Sequence, residues 1–176
     1  MAILEILEAP HPLLSQRARE VREDEFGESL AAHLSDMAET MYAAPGVGLA
    51  APQVGDLRRI VVADPGAGED DEGRRLYQMV NPELVERSRE LTESEEQCLS
   101  VPEITVKVKR HVTVTVAWRD PWGREHREAF EDWAAIVIQH ELDHLVGQTL
   151  YDRASGLKRS RYLRARKKAQ QAELVR

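Results

Sequence analysis

One cysteine stands in the 176 residues, Cys98. An intramolecular disulfide is therefore impossible, and the chain suits a reducing compartment. No apolar run approaches the roughly 18 residues of a membrane helix. The longest β-branched cluster, Ala134 to Ile138, is far shorter. The opening Met1-Ala2-Ile3-Leu4-Glu5 lacks the basic region and apolar core of a secretory signal. These absences predict a cytoplasmic protein with no membrane partner. With 10 Gly and 8 Pro the chain is neither collagenous nor low in complexity, and no internal repeat or linker interrupts it. Its length and its 42% hydrophobic content predict one globular domain over 1–176.

Positive charge is scarce too, but only in part of the chain. The overall net charge is −7. Residues 151–176 carry 9 Lys/Arg against 2 Asp/Glu, a net of +7; the other 150 residues carry 15 and 29, a net of −14. The acidic body argues against DNA. The basic segment reads as a helical extension of the domain, able to meet RNA phosphates.

The apolar pattern supplies the elements. Ala2 to Leu7 suggests a short buried strand, ended by Pro10 and Pro12. Phe26, Leu30, Leu34, Met37 and Met41 form a helical stripe over about Asp24 to Ala43. Gly46 to Gly55 is a small-residue loop, Arg59 to Ala63 and Leu76 to Val80 read as strands, and Gly68 to Gly73 is an acidic loop. Ile104, Val106, Val108, then Val112, Val114 and Val116 alternate with polar residues, predicting a half-buried antiparallel sheet. Asp120-Pro121-Trp122-Gly123 fits a type I turn. Asp132 is placed to cap a helix running to about Val146, with Gly147 at its end. A last helix covers about Gly156 to Leu174. Strands grouped between helices predict an α+β fold.

The chemistry gathers in Gln139-His140-Glu141-Leu142-Asp143-His144. On a helix, His140 and His144 face the same side one turn apart, the spacing of two nitrogens on one metal ion. Glu141 lies within reach of a metal-bound water. A catalytic site of this kind needs a third protein ligand and an open position. The candidates are Cys98, Asp152, His11, His33, His111 and His126. Cys98 is the strongest, because a thiolate suits a borderline-soft metal. The set predicts a hydrolase: activated water attacks a carbonyl-type carbon and Glu141 shuttles the proton. Gln53 and a backbone N–H beside Cys98 are candidate oxyanion donors.

Three segments, in order and spacing, resemble peptide deformylase. Gly46-Val47-Gly48-Leu49-Ala50-Ala51-Pro52-Gln53 matches its glycine-rich motif ending in Gln. Glu96-Gln97-Cys98-Leu99-Ser100 matches Glu-Gly-Cys-Leu-Ser in four of five places, and Gln139 to Leu145 matches Gln-His-Glu-x-Asp-His-Leu in full. The resemblance extends over the chain, including Val101-Pro102, Asp152-Arg153 and the basic C-terminal helix.

The resemblance implies an α+β fold with mixed, largely antiparallel sheets around the metal-bearing helix. It implies removal of the formyl group from N-formylmethionine of nascent bacterial polypeptides. Cys98, His140 and His144 would hold one divalent ion, natively Fe²⁺ and replaceable by Zn²⁺, Ni²⁺ or Co²⁺. Metal-bound hydroxide would attack the formyl carbon, with Glu141 as general base and acid. Gln53 and the Leu99 N–H would hold the oxyanion. Val47, Ile136 and Val137 would line the methionine pocket, and the substrate backbone would lie extended along Gly48 and Gln97. The C-terminal helix would contact the ribosome through Lys158, Arg159, Arg161, Arg164, Arg166, Lys167 and Lys168. Two departures stand out. Gln97 replaces the motif's Gly, and Thr105 stands where relatives often carry Arg, three residues past Val101-Pro102. They motivate a second reading, a divergent enzyme acting on another N-formyl substrate, while the basic C-terminal segment motivates a third, a weakly catalytic metal-binding protein of the ribosome.

Overall fold

The computed structural model describes residues 2–67 and 73–173; most of the acidic loop, and Leu174, lie outside the described residues. The elements are α1 (Glu28–Ala43), β1 (Gly48–Ala50), β2 (Ile60–Ala63), β3 (Tyr77–Arg87), β4 (Leu91–Cys98), β5 (Val101–His111), β6 (Thr113–Arg119), β7 (Glu125–Glu131), α2 (Asp132–Leu145), α3 (Leu150–Arg153) and α4 (Gly156–Glu173). An antiparallel five-stranded sheet has the order β1-β2-β3-β6-β7, and β4 pairs with β5 in a separate hairpin. The fold is α+β.

The five-stranded sheet is covered on both faces, which explains why all four residues of β2 are buried. Ile60 and Val62 join Leu30, Leu34, Met37 and Met41 of α1 in one core. Val61 and Ala63 point the other way, into a core with Ala135, Val137, Ile138 and Leu145 of α2. Period two along the strand thus feeds two helices at once. α2 also touches β5, so it lies between the sheet and the hairpin.

The expected sheet over Ile104 to Trp118 needs correcting. β5 and β6 do not pair with each other; they belong to different sheets. The buried positions 104, 106, 108, 110, 114, 116 and 118 keep one parity through both strands, with half-buried Val112 at the junction. Lys109-Arg110-His111 offers no Gly or Asn to reverse the chain, so it continues and changes sheets. At the switch, the Gln139 side chain of α2 accepts from the His111 N–H at 3.0 Å and donates to the His111 carbonyl at 2.9 Å. Gln139→Leu removes both bonds from a poorly exposed peptide unit. It is expected to destabilise the protein by about 1–3 kcal/mol, measurable as a lowered denaturation midpoint.

Other expectations shift at their edges. Ala2 to Leu7 forms no strand, and Ile3 is exposed; Leu7 instead donates its N–H to the Gln53 carbonyl at 2.7 Å. The first long helix begins at Glu28, after Gly27, because a separate 3₁₀ turn takes Glu23–Glu25. Part of the small-residue loop is β1 and a 3₁₀ turn, Ala51–Val54. Asp132 is the first residue of α2 rather than its cap, at φ +48° with its N–H on the Val112 carbonyl at 2.9 Å. Gly147 does close the region after α2, at φ +75°. A Cβ there would lie 2.6 Å from the Ser15 carbonyl oxygen. Among the described residues no helix is long and apolar enough to cross a membrane.

Candidate active site

α2 places His140 and His144 on one face, and β4 ends at Cys98 beside them. The Cys98 sulfur is 3.4 Å from His144 Nε2. Cys98, His140 and His144 each offer one ligand atom, all within 4.8 Å of one another. It is the only such group of three among the described residues. His11 binds the Leu13 N–H, His33 meets Asp56, His111 meets the Ser88 carbonyl, His126 stacks on Trp118, and Asp152 accepts from Thr149.

A charge network sets the orientation of His140. Its Nδ1 lies 2.9 Å from Glu96, which leaves Nε2 for the cluster. Glu96 is held in turn by a two-pronged pair with Arg110, both contacts at 2.8 Å, and Arg110 also reaches Asp143 at 2.8 Å. Arg110 is therefore the partner of Glu96 that Thr105 cannot be. Burial pushes the Glu96 carboxyl up, but the Arg110 and His140 hydrogen bonds outweigh it and bring the group down to about 2. Burial likewise opposes charge on His140, yet its bonds to Cys98 and Glu96 carry it well above its ordinary value. Burial and the neighbouring His140 charge push His144 well below its own.

These properties fit a divalent metal. The donor set is one sulfur and two imidazole nitrogens, a borderline-soft combination. His144 is neutral and buried, the state a ligand needs. A cation held by all three would sit where their ligand atoms converge and would displace ligand protons.

Glu141 sits next to this cluster, buried, with Oε2 lacking a hydrogen-bond partner. Burial raises its carboxyl to about 7. An unpartnered buried carboxyl beside a cavity is costly for stability and useful for proton transfer. Gly48 of β1 makes room for it. A Cβ on Gly48 would stand 2.3 Å from Glu141 Oε1 and 2.7 Å from its carboxyl carbon. Gly48→Ala must push the carboxyl aside, because β1 is held by pairing with β2. The hydrolytic activity that the resemblance implies is expected to fall by up to about 10²-fold in this variant. Equal activity in the variant would show that Glu141 needs no such space.

A cavity of about 510 Å³ opens over these groups. Val47, Gly48, Gln53, Gln97, Leu99, Ile136, Val137, His140 and Glu141 all line it, with Trp133 and Pro102. Among the described residues β1 is an edge strand of its sheet, and β4 is paired only with β5. Gly48 and Gln97 thus lie on two strands with a free edge at the cavity. Gln53 is fully buried: its oxygen accepts from the Ala50 N–H at 2.8 Å, and its Nε2 donates to Ser100 Oγ at 3.1 Å and lies 3.6 Å from the Cys98 sulfur.

Reading the sequence missed Arg110, the role of Glu96 toward His140, Ser100 and Trp133. Arg110 had a visible signal: it occupies the inward phase of an otherwise valine-lined strand, where a charge needs a partner.

The polypeptide deformylase family model matches residues 3–160. A peptide deformylase of Desulfotalea psychrophila is 44% identical over 168 residues, covering 96% of this chain and 97% of the relative. Among solved structures, a peptide deformylase from Legionella pneumophila superposes with a TM-score of 0.86 at 37% identity, covering 99% of both chains. A Met-Ala-Ser-bound class I type b peptide deformylase from Acinetobacter baumannii does so at 0.79 and 31%, over 87% of this chain and 99% of the other.

Proposed function

The chain belongs to the peptide deformylase family, and from that premise we propose that it is a metal-dependent hydrolase that removes the formyl group from N-formylmethionine of nascent polypeptides. One observation carries this reading: the ligand atoms of Cys98, His140 and His144 converge within 4.8 Å, beside buried Glu141, on a cavity of about 510 Å³. Met-Ala-Ser bound to the Acinetobacter relative supports that substrate class.

Cys98, His140 and His144 would hold a divalent ion, which would supply Lewis acidity at neutral pH. The protein does the rest. Glu141 accepts a proton from the attacking water and delivers it to the leaving nitrogen, so one water splits the formyl C–N bond into formate and a free amine. Its raised carboxyl can both take and release a proton near pH 7. Gln53 Nε2, now on Ser100, and the Leu99 N–H donate to the oxygen that gains charge. Val47, Ile136 and Val137 give the methionine side chain apolar contact, suited to a thioether. Gly48 and Gln97 offer backbone edges to an extended chain. Glu96 and Arg110 fix the ring of His140.

Ferrous iron is the proposed resident metal, with Zn²⁺, Ni²⁺ or Co²⁺ able to replace it, since the donor set suits all four. The protein is proposed to work in the cytoplasm, as one domain whose basic helix α4 meets ribosomal RNA. Lys158, Arg159, Arg161, Arg164, Lys167 and Lys168 are exposed on that helix, while Arg166 pairs with Glu8. Co-sedimentation with ribosomes should then weaken with salt and with removal of residues after Gly156.

The deciding experiment is anaerobic purification, metal analysis and an assay of formate released from formyl-Met-Ala-Ser. One metal per chain and activity abolished by a chelator are expected. Metal-loaded protein without activity would refute the reading.

A further inference from the structure

The two departures from the family pattern touch each other. Gln97 Nε2 donates to Thr105 Oγ1 at 3.1 Å. The ladder between β4 and β5 is irregular at this point: Glu96 faces Val106 and Cys98 faces Val101. Gln97 alone on β4 is therefore set against residues 102–105 on β5, a bulge that forms the lip of the active-site cavity. Pro102, Glu103 and Gln97 all line that cavity. Positive φ among the described non-glycine residues falls at Pro45, Asn81, Glu103 and Asp132, so Gln97 occupies the glycine position of the motif without left-handed strain. The bulge is tied a second time from outside, where Lys158 of α4 donates to the Thr105 carbonyl at 2.5 Å.

From this geometry we infer that Gln97, fastened by Thr105, is a specificity-determining residue that limits the size of the residue following formyl-methionine. The inference rests on the deformylase reading. In that reading the methionine pocket is lined by Val47, just before β1, and by Ile136 and Val137 of α2, and successive side chains of an extended peptide point to opposite faces. The next side chain is therefore directed away from that pocket, and the polar lip carries Gln97. A loose glutamine would swing aside for a large side chain. One bonded to Thr105 must first give up that hydrogen bond, a factor of about five to ten in affinity.

The test compares kcat/KM for formyl-Met-Ala-Ser and formyl-Met-Trp-Ser in iron-loaded wild type, Gln97→Gly and Thr105→Val. Wild type should favour the alanine peptide, mainly through KM. Gln97→Gly should shrink that ratio by about five- to tenfold. Thr105→Val keeps the glutamine but frees it, and should shrink the ratio to an intermediate value with KM alone moving. A ratio that is the same in wild type and Gln97→Gly overturns the inference, as does an equal loss on both peptides. Inactivity of wild type on both peptides would instead overturn the deformylase reading beneath it.

Discussion

Replacing Glu141 with Gln is expected to slow formyl release by about 10²–10⁴-fold, the range contributed by a positioned proton-transfer group. Metal content should not change, because Cys98, His140 and His144 remain. The substitution is nearly isosteric, so the tight fit against Gly48 survives. The fold should be retained, since the change replaces a buried, unpartnered carboxyl by a neutral amide. Thermal stability should hold or rise while kcat collapses. Metal analysis, a melting curve and single-turnover formate release make the three measurements. A fully active Glu141→Gln enzyme would place the proton transfer elsewhere.

Arg110→Met is expected to act through stability first. Glu96 and Arg110 are both buried, and removing Arg110 takes away the two-pronged partner of Glu96, leaving His140 alone to meet its buried charge. Breaking such a pair costs about 3–5 kcal/mol. Orientation of His140 should loosen too, weakening metal retention by about 10–100-fold. The double variant Glu96→Gln, Arg110→Met should lose less stability than Arg110→Met alone, because no charge is left buried. Acid unfolding gives a signed check. Glu96 is depressed from 4.5 to about 2 in the folded state, so its contribution is complete above pH 4.5 and is lost as pH falls toward 2. In Arg110→Met the Arg110 share of that depression goes while the His140 share remains, and the pH dependence of stability across this window should become shallower. An unchanged melting temperature and acid profile would mean the pair carries little.

Helices and valine-rich strands were plain in the sequence; β4 and β7 were not. The reason for β4 is physical. Its inward residues are Ser94, Glu96 and Cys98, so the strand lacks the apolar alternation that marks a half-buried strand. Glu96 and Cys98 are polar because the interior there is the site itself, where Arg110 and His140 partner Glu96 and His144 meets Cys98. The segment carrying the cysteine was thus hardest to read as structure because of its chemistry. β7, Glu-His-Arg-Glu-Ala-Phe-Glu, buries only Phe130 and pairs at the sheet's edge.

Some properties needed only the chain. The spacing of His140 and His144, with Glu141 between them, follows from helical periodicity. A single cysteine leaves one thiolate for a metal, and the split of −14 and +7 belongs to the order of residues. Tertiary structure decided the remainder. The continuous alternation from 104 to 118 holds no signal that the strand changes sheets, because that choice depends on Gln139 arriving from α2. Gln53 stands 45 positions before Cys98, and only packing brings its amide to 3.6 Å from that sulfur. The pairing of Arg110 with Glu96, and of Gln97 with Thr105, joins residues that local pattern treats as independent. Periodicity reports which face a side chain takes; which partner it meets depends on long-range contacts that no local pattern encodes.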